Sequence, residues 1–277
     1  MSVLWLALAL LVLILFLLYN FSTTMNYYMR ISFFYATIFA HGMECTVTLF
    51  PSWLKQGGAD LVFHKFYYWC FWTGVHVEVR DQSLMDKVQG PAVVIANHQS
   101  AIDVIVMSSV WPHRGVVMMK KALMYVPFFN IASYWANTIF IDRFNRERAM
   151  HSVDYCVEQL KISGFKLWVF PEGTRNRDGG MIPFKKGAFN IAVRAQIPII
   201  PIVISDYRPF YSKNGKYFRT DGEVIAQVLP PIDTTGLSLD DVADLIEKTR
   251  SKMLAVYDVI SPEVKHLIES KRKDKSE

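Results

Sequence analysis

Cysteine is scarce in this chain of 277 residues: Cys45, Cys70 and Cys156 are all it has. An odd number at such wide spacing forms neither a disulfide framework nor a metal-ligand pattern. A stapled secreted scaffold is thereby excluded, and a reduced, cytosol-facing catalytic part is expected. Internal repeats and low-complexity stretches are absent as well, so the chain is no repeat array. It carries no recognised nucleic-acid motif to accompany its net charge of +5, and nucleic acid is not expected as a partner. The basic balance suits anionic lipid headgroups or phosphorylated substrates instead.

Charge is missing altogether from Val3 to Tyr19. At 1.5 Å per residue this run approaches the roughly 30 Å of a bilayer core. No Lys or Arg precedes it and no strong small-residue cleavage site follows, so a retained membrane anchor is expected rather than a removed signal. Residues 31–50 form a weaker second segment. His41 and Glu44 lie three apart on one helix face there, read as interfacial groups reaching lipid headgroups. Residues 61–73 are crowded with Phe, Tyr and Trp, which suits an amphipathic interfacial helix or, alternatively, a core helix. The charged tail, 271–277, reads as disordered. Its lysines at the third and fifth positions from the end resemble a dilysine endoplasmic-reticulum retrieval signal.

From Val75 onward, short β-branched runs alternate with helical stretches. The fold expected is α/β, a mixed, mostly parallel sheet covered by helices and preceded by N-terminal membrane helices. Three parts follow: 1–74 as membrane-anchoring and interfacial helices, 75–260 as the α/β domain, and 261–277 as a basic tail.

The chemistry concentrates in Asn97-His98-Gln99-Ser100-Ala101-Ile102-Asp103, where an apolar strand gives way to a helix. Ligands of such sheets sit outside the strands' C-terminal ends. Imidazole titrates near the operating pH and can take a proton from a hydroxyl. A carboxylate on the other ring nitrogen would fix the tautomer. No Ser or Cys is clearly placed as a covalent nucleophile, so His98 is read as activating a substrate hydroxyl. Phe170-Pro171-Glu172-Gly173-Thr174-Arg175 follows a second strand, and the Arg175 guanidinium suits a phosphate. Lys120 and Arg143 also follow strands and could converge on the same anion. The stretch Ile197 to Val203, with Pro198 and Pro201, fits an acyl channel or a kinked core strand.

In this order, the NHQSAID, IFIDR, FPEGTR and IPIIPIV stretches resemble the four motifs of the glycerolipid acyltransferase family. The Pro183-to-Phe189 stretch and the apolar N-terminus resemble most closely its 1-acyl-sn-glycerol-3-phosphate acyltransferases, over roughly residues 75 to 260. The resemblance implies that His98 and Asp103 are the catalytic pair. It implies acceptor binding by Glu172, Gly173, Thr174 and Arg175, a basic contact from Arg143, and a phosphate contact from Lys120 or Lys121. An acyl group would pass from acyl-CoA to the sn-2 hydroxyl of lysophosphatidic acid, giving phosphatidic acid and CoA. The expected partners are acyl-CoA, lysophosphatidic acid and the lipid bilayer. No cofactor or metal is implied, acyl-CoA being a co-substrate, and the expected location is integral to the endoplasmic reticulum membrane. Lysophosphatidylcholine acyltransferases typically differ at the position of Arg175. Other readings are an acyltransferase for another lysophospholipid, a non-catalytic membrane-binding protein, and a thioesterase.

Overall fold

A computed structural model describes residues 2–49, 58–141 and 146–275. Three helices come first: α1 (Ser2–Phe21), α2 (Thr23–Thr48) and α3 (Gly58–Trp69). The α/β part then runs β1 (Val75–Arg80), α4 (Gln82–Asp86), β2 (Ala92–Ala96), α5 (Asp103–Ser109), β3 (Gly115–Lys120), α6 (Phe129–Trp135) and β4 (Ile139–Ile141). It continues with α7 (Arg146–Ser163), β5 (Lys166–Val169), α8 (Lys186–Ala195), β6 (Ile199–Ile204), a small hairpin of β7 (Tyr211–Ser212) and β8 (Tyr217–Phe218), β9 (Gly222–Val228) and α9 (Val242–Asp274).

Seven strands form one sheet in the order β1-β9-β6-β2-β5-β3-β4. Every pairing is parallel except that of β6 with β9. Each residue of β2, β5 and β6 is buried. Strands that are apolar on both sides need cover on both faces. It comes from α7, α8 and α9, packed on one another in one layer, and from α2, α3, α5 and α6 in another. The mixed, mostly parallel architecture expected from the alternation of strands and helices is therefore the one found. Val75–Arg80, whose apolar and polar residues alternate, forms the edge strand. Pro201 lies inside the central strand β6, opposite Ile95 of β2, and its carbonyl accepts from Leu229 N–H at 2.8 Å. The kinked-strand reading of this stretch thus describes its place in the core.

Two expectations are overturned. Among the described residues no helix is long and apolar enough to cross a membrane. This removes the N-terminal membrane-spanning helices from the fold and, with them, the basis for integral placement in the endoplasmic reticulum membrane. Past the Ser22 cap, α2 packs on the protein, burying Tyr27, Arg30, Phe34, His41 and Cys45 on one side. Arg30 donates to the carbonyl of Thr73 at 2.6 Å, which ties α2 to the α/β part.

The aromatic segment is a core helix on one side. Phe63 stacks on Trp111 with ring centres 3.7 Å apart, and Phe66 is buried, while Tyr68 and Phe71 remain exposed. The charged tail is ordered through Asp274 as the last turns of α9. Lys271 pairs with Glu223 at 2.6 Å and Arg272 with Asp221 at 2.5 Å, so opposite charges on and beside β9 hold what charge density alone suggested would be loose.

Candidate active site

Strand β2 stops because its next residue turns a side-chain amide onto the neighbouring strand. Asn97 Nδ2 donates to the Ile204 carbonyl at 2.9 Å, and its Oδ1 accepts the Ile204 N–H at 2.7 Å. The side chain thus stands in for one further backbone rung and satisfies two buried groups of β6. Gln99 repeats the device. Its amide donates to Ser205 O at 2.8 Å and accepts from Tyr207 N–H at 3.3 Å. Asn97 and Gln99 both turn toward β6, and the His98 side chain between them stays partly exposed.

His98 Nδ1 lies 2.5 Å from Asp103 Oδ2. Asp103 is 1% exposed and opens α5, where the helix dipole favours a negative charge. Its carboxylate also accepts the backbone N–H groups of Gln99 at 2.9 Å and Ser100 at 3.1 Å. An acceptor-only carboxylate requires the proton to sit on Nδ1, which leaves Nε2 as the lone-pair nitrogen. The ring is stacked on Phe170 at 4.0 Å and 17°, and remains partly exposed. Behind the pair lies the buried phenol of Tyr207, whose pKa is raised well above its usual value by burial and then by the Asp103 charge.

The loop after β5 grips the His98 peptide from both sides. Glu172 Oε1 accepts the His98 N–H at 2.8 Å, and the His98 carbonyl accepts Asn176 N–H at 2.8 Å. The other oxygen of Glu172 accepts Ile182 N–H at 3.3 Å. Glu172 is 1% exposed, and burial raises its pKa to about 7 despite those N–H groups. Its carboxylate therefore braces the loop that carries His98. Gly173 takes φ +69°, a left-handed turn that turns the chain outward toward Thr174 and Arg175, both exposed. The Arg175 charge is felt by the Tyr211 phenol.

Because β2, β5, β3 and β4 are parallel neighbours, their C-terminal ends share one sheet edge. His98, the Glu172–Arg175 loop and the exposed Lys120 all leave from that edge. Lys120, two strands from β2, is about 10 Å across the sheet by strand spacing. Arg143 lies outside the described residues. Sequence reasoning assigned no part to Asn97, Gln99, Asn176 or Tyr207. The first two had a signal in the amides that flank a histidine at the end of an apolar run; Tyr207 had none. A cavity of about 620 Å³ lies elsewhere, lined by Tyr19, Asn26, Arg30, Arg219, Thr220 and Asp221 among others, and holds none of the motif residues.

The fold is a mostly parallel α/β sheet with an aspartate-bonded imidazole at its C-terminal edge, where the ligands of such sheets bind. Residues 76–205 match the Acyltransferase family. The chain is 64% identical to the Caenorhabditis elegans protein named "Putative 1-acyl-sn-glycerol-3-phosphate acyltransferase acl-2", over 90% of this chain and 88% of that one. It is 33% identical to human 1-acyl-sn-glycerol-3-phosphate acyltransferase beta over 92% and 91%, and 43% identical to the human alpha form over 68% and 66%. The crystal structure of the 1-acyl-sn-glycerophosphate acyltransferase PlsC from Thermotoga maritima superposes with a TM-score of 0.56 at 23% identity, over 90% of this chain and 95% of that one, a likeness of fold. The chain belongs to the 1-acyl-sn-glycerol-3-phosphate acyltransferase family and is an acyltransferase.

Proposed function

We propose that this enzyme transfers an acyl group from acyl-CoA to the sn-2 hydroxyl of lysophosphatidic acid. The observation that carries the mechanism is the 2.5 Å contact between His98 Nδ1 and Asp103, which presents Nε2 as the base. The acceptor phosphate sits against Arg175 and Lys120, with Arg143 as a further cation from the sequence. Nε2 removes the hydroxyl proton as the oxygen attacks the thioester carbon. The C–S bond then breaks, His98 returns the proton to the departing sulfur, and the products are phosphatidic acid and CoA. No acyl-enzyme is formed. Asp103 stabilises the transient imidazolium. Glu172 holds the His98 backbone in place, and Gly173 and Thr174 shape the loop that presents Arg175.

The test is CoA release by purified enzyme, with a panel of lysophospholipid acceptors and one acyl-CoA. Lysophosphatidic acid should be the best acceptor by kcat/KM. Arg175→Ala should raise its KM more than it lowers kcat. Equal turnover of choline- and phosphate-headed acceptors would reject the phosphate clamp, and CoA release without any acceptor would reject transfer in favour of hydrolysis.

A further inference from the structure

We infer that His41, Glu44 and Cys45 of α2, facing α3, form a binding site for a zinc-class divalent transition-metal ion, distinct from the acyl-transfer residues. The three donors form one triangle. His41 Nδ1 is 3.5 Å from Glu44 Oε2, Cys45 Sγ is 3.7 Å from that same oxygen, and Sγ is 3.9 Å from Nδ1. In a tetrahedral zinc centre with the usual Zn–N, Zn–O and Zn–S lengths, those edges come to about 3.4 to 3.6 Å. Movements of a few tenths of an ångström would therefore seat an ion, with water as the fourth ligand.

The surroundings fit as well as the distances do. His41 Nε2 lies 3.0 Å from the Val62 carbonyl of α3. A proton there fixes the tautomer and leaves Nδ1 free for a metal, the arrangement that supporting hydrogen bonds give metal-bound histidines. The thiol is 3.4 Å from Nε2, nearer than to Nδ1, so the imidazole has to turn Nδ1 toward the sulfur as the ion enters. Lys65 of α3 holds the opposite oxygen of Glu44 at 2.8 Å, which orients Oε2 toward the other two donors. His41 and Cys45 are buried, and the rings of Phe66 and Trp69 lie 5.4 and 5.7 Å from the imidazole. Among the described residues this is the one group of three His, Cys, Asp or Glu donors close enough to share an ion.

The chemistry balances. The Cys45 thiol proton is the one that a thiolate ligand gives up on binding. The ion displaces that proton to solvent; M²⁺, thiolate and carboxylate sum to zero, and the Lys65 ammonium beside Glu44 leaves the cluster at +1. Its effect would be to fix this turn of α2 and the orientation of the His41 and Glu44 side chains, which already bond to Val62 and Lys65 of α3.

Cobalt(II) is the probe, titrated into the purified full-length chain. The expected result is saturation at one ion per chain, with a thiolate-to-cobalt charge-transfer band in the near ultraviolet and intense visible bands of tetrahedral cobalt, both removed by added zinc. Cys45→Ser should abolish the near-ultraviolet band, while Cys70→Ser and Cys156→Ser keep it. Glu44→Gln, at a partly exposed side chain that does not endanger folding, should weaken binding by about tenfold or more. Absence of the thiolate band in the unaltered protein would overturn the assignment. So would a band that survives in Cys45→Ser, or affinity unchanged in Glu44→Gln.

Discussion

In the proposed reaction a single imidazole nitrogen is the base. Replacing His98 by Ala removes the base, and kcat should fall by at least about 10²–10⁴, the usual span for general base catalysis. Asp103→Asn should also cut kcat steeply, with little change in KM, because an amide can donate to Nδ1 and so turn the lone pair away from the acceptor. Single-turnover CoA release measures both, and near-normal turnover in His98→Ala would dismiss the role. Glu172 gives a prediction about pH. Its folded pKa is raised, to about 7, from an ordinary value near 4.5. Between those values the folded state holds more protons than the unfolded one, so stability falls as pH rises through this window. Unfolding of the wild type should show that decline from about pH 4.5 to 7, and Glu172→Gln should flatten it. An identical pH profile in the variant would show that Glu172 is not the group responsible.

The strand ends are where local sequence becomes site geometry. β2 finishes with side-chain amides, so its last rungs onto β6 belong to Asn97 and Gln99. Asn97→Ala leaves the Ile204 N–H without its partner, and its C=O with only the longer bond from Gln99 Nε2 at 3.3 Å, in a fully buried place. Stranded buried groups of this kind cost about 1–3 kcal/mol each. Chemical denaturation should therefore register a loss of a few kcal/mol, together with a drop in kcat from the loosened His98 loop. A loss under about 0.5 kcal/mol would mean that the amide is not a structural rung. The edge strand β1 was legible because its residues alternate in polarity, and β2, β5 and β6 because they are short and apolar between turn residues. The last turns of α9 were not: their order depends on Asp221 and Glu223, some fifty residues earlier in the chain.

Over the whole molecule, Lys120 and the loop of Arg175 leave the same sheet edge as His98. A net charge of +5 adds a broad attraction for an anionic acceptor. KM for lysophosphatidic acid should accordingly rise with ionic strength over the range in which the Debye length falls from about 30 to 8 Å. Arg175→Ala should raise KM at low salt and make that dependence shallower. A dependence equally steep in wild type and variant would place the acceptor phosphate elsewhere. The N-terminal helices show the same scale from the other side. Reading 31–50 as membrane-interfacial sent His41 and Glu44 to headgroups, whereas the fold turns His41 inward against Val62 and pairs Glu44 with Lys65.

Order along the chain was enough to establish the sheet's alternation, the place where β2 ends, the adjacency of His98 and Asp103, and the four stretches that mark the family. Those depend on spacing over a few residues, which hydrophobic periodicity and turn chemistry express directly. Tertiary structure alone decided that Glu172 grips the His98 peptide, that Tyr207 lies behind Asp103, that α2 is an arm packed on the domain, and that His41, Glu44 and Cys45 meet beneath α3. Each of these depends on which face of one element meets another from far along the chain. Burial then sets the protonation of the groups that meet there, as it does for Glu172 and Cys45.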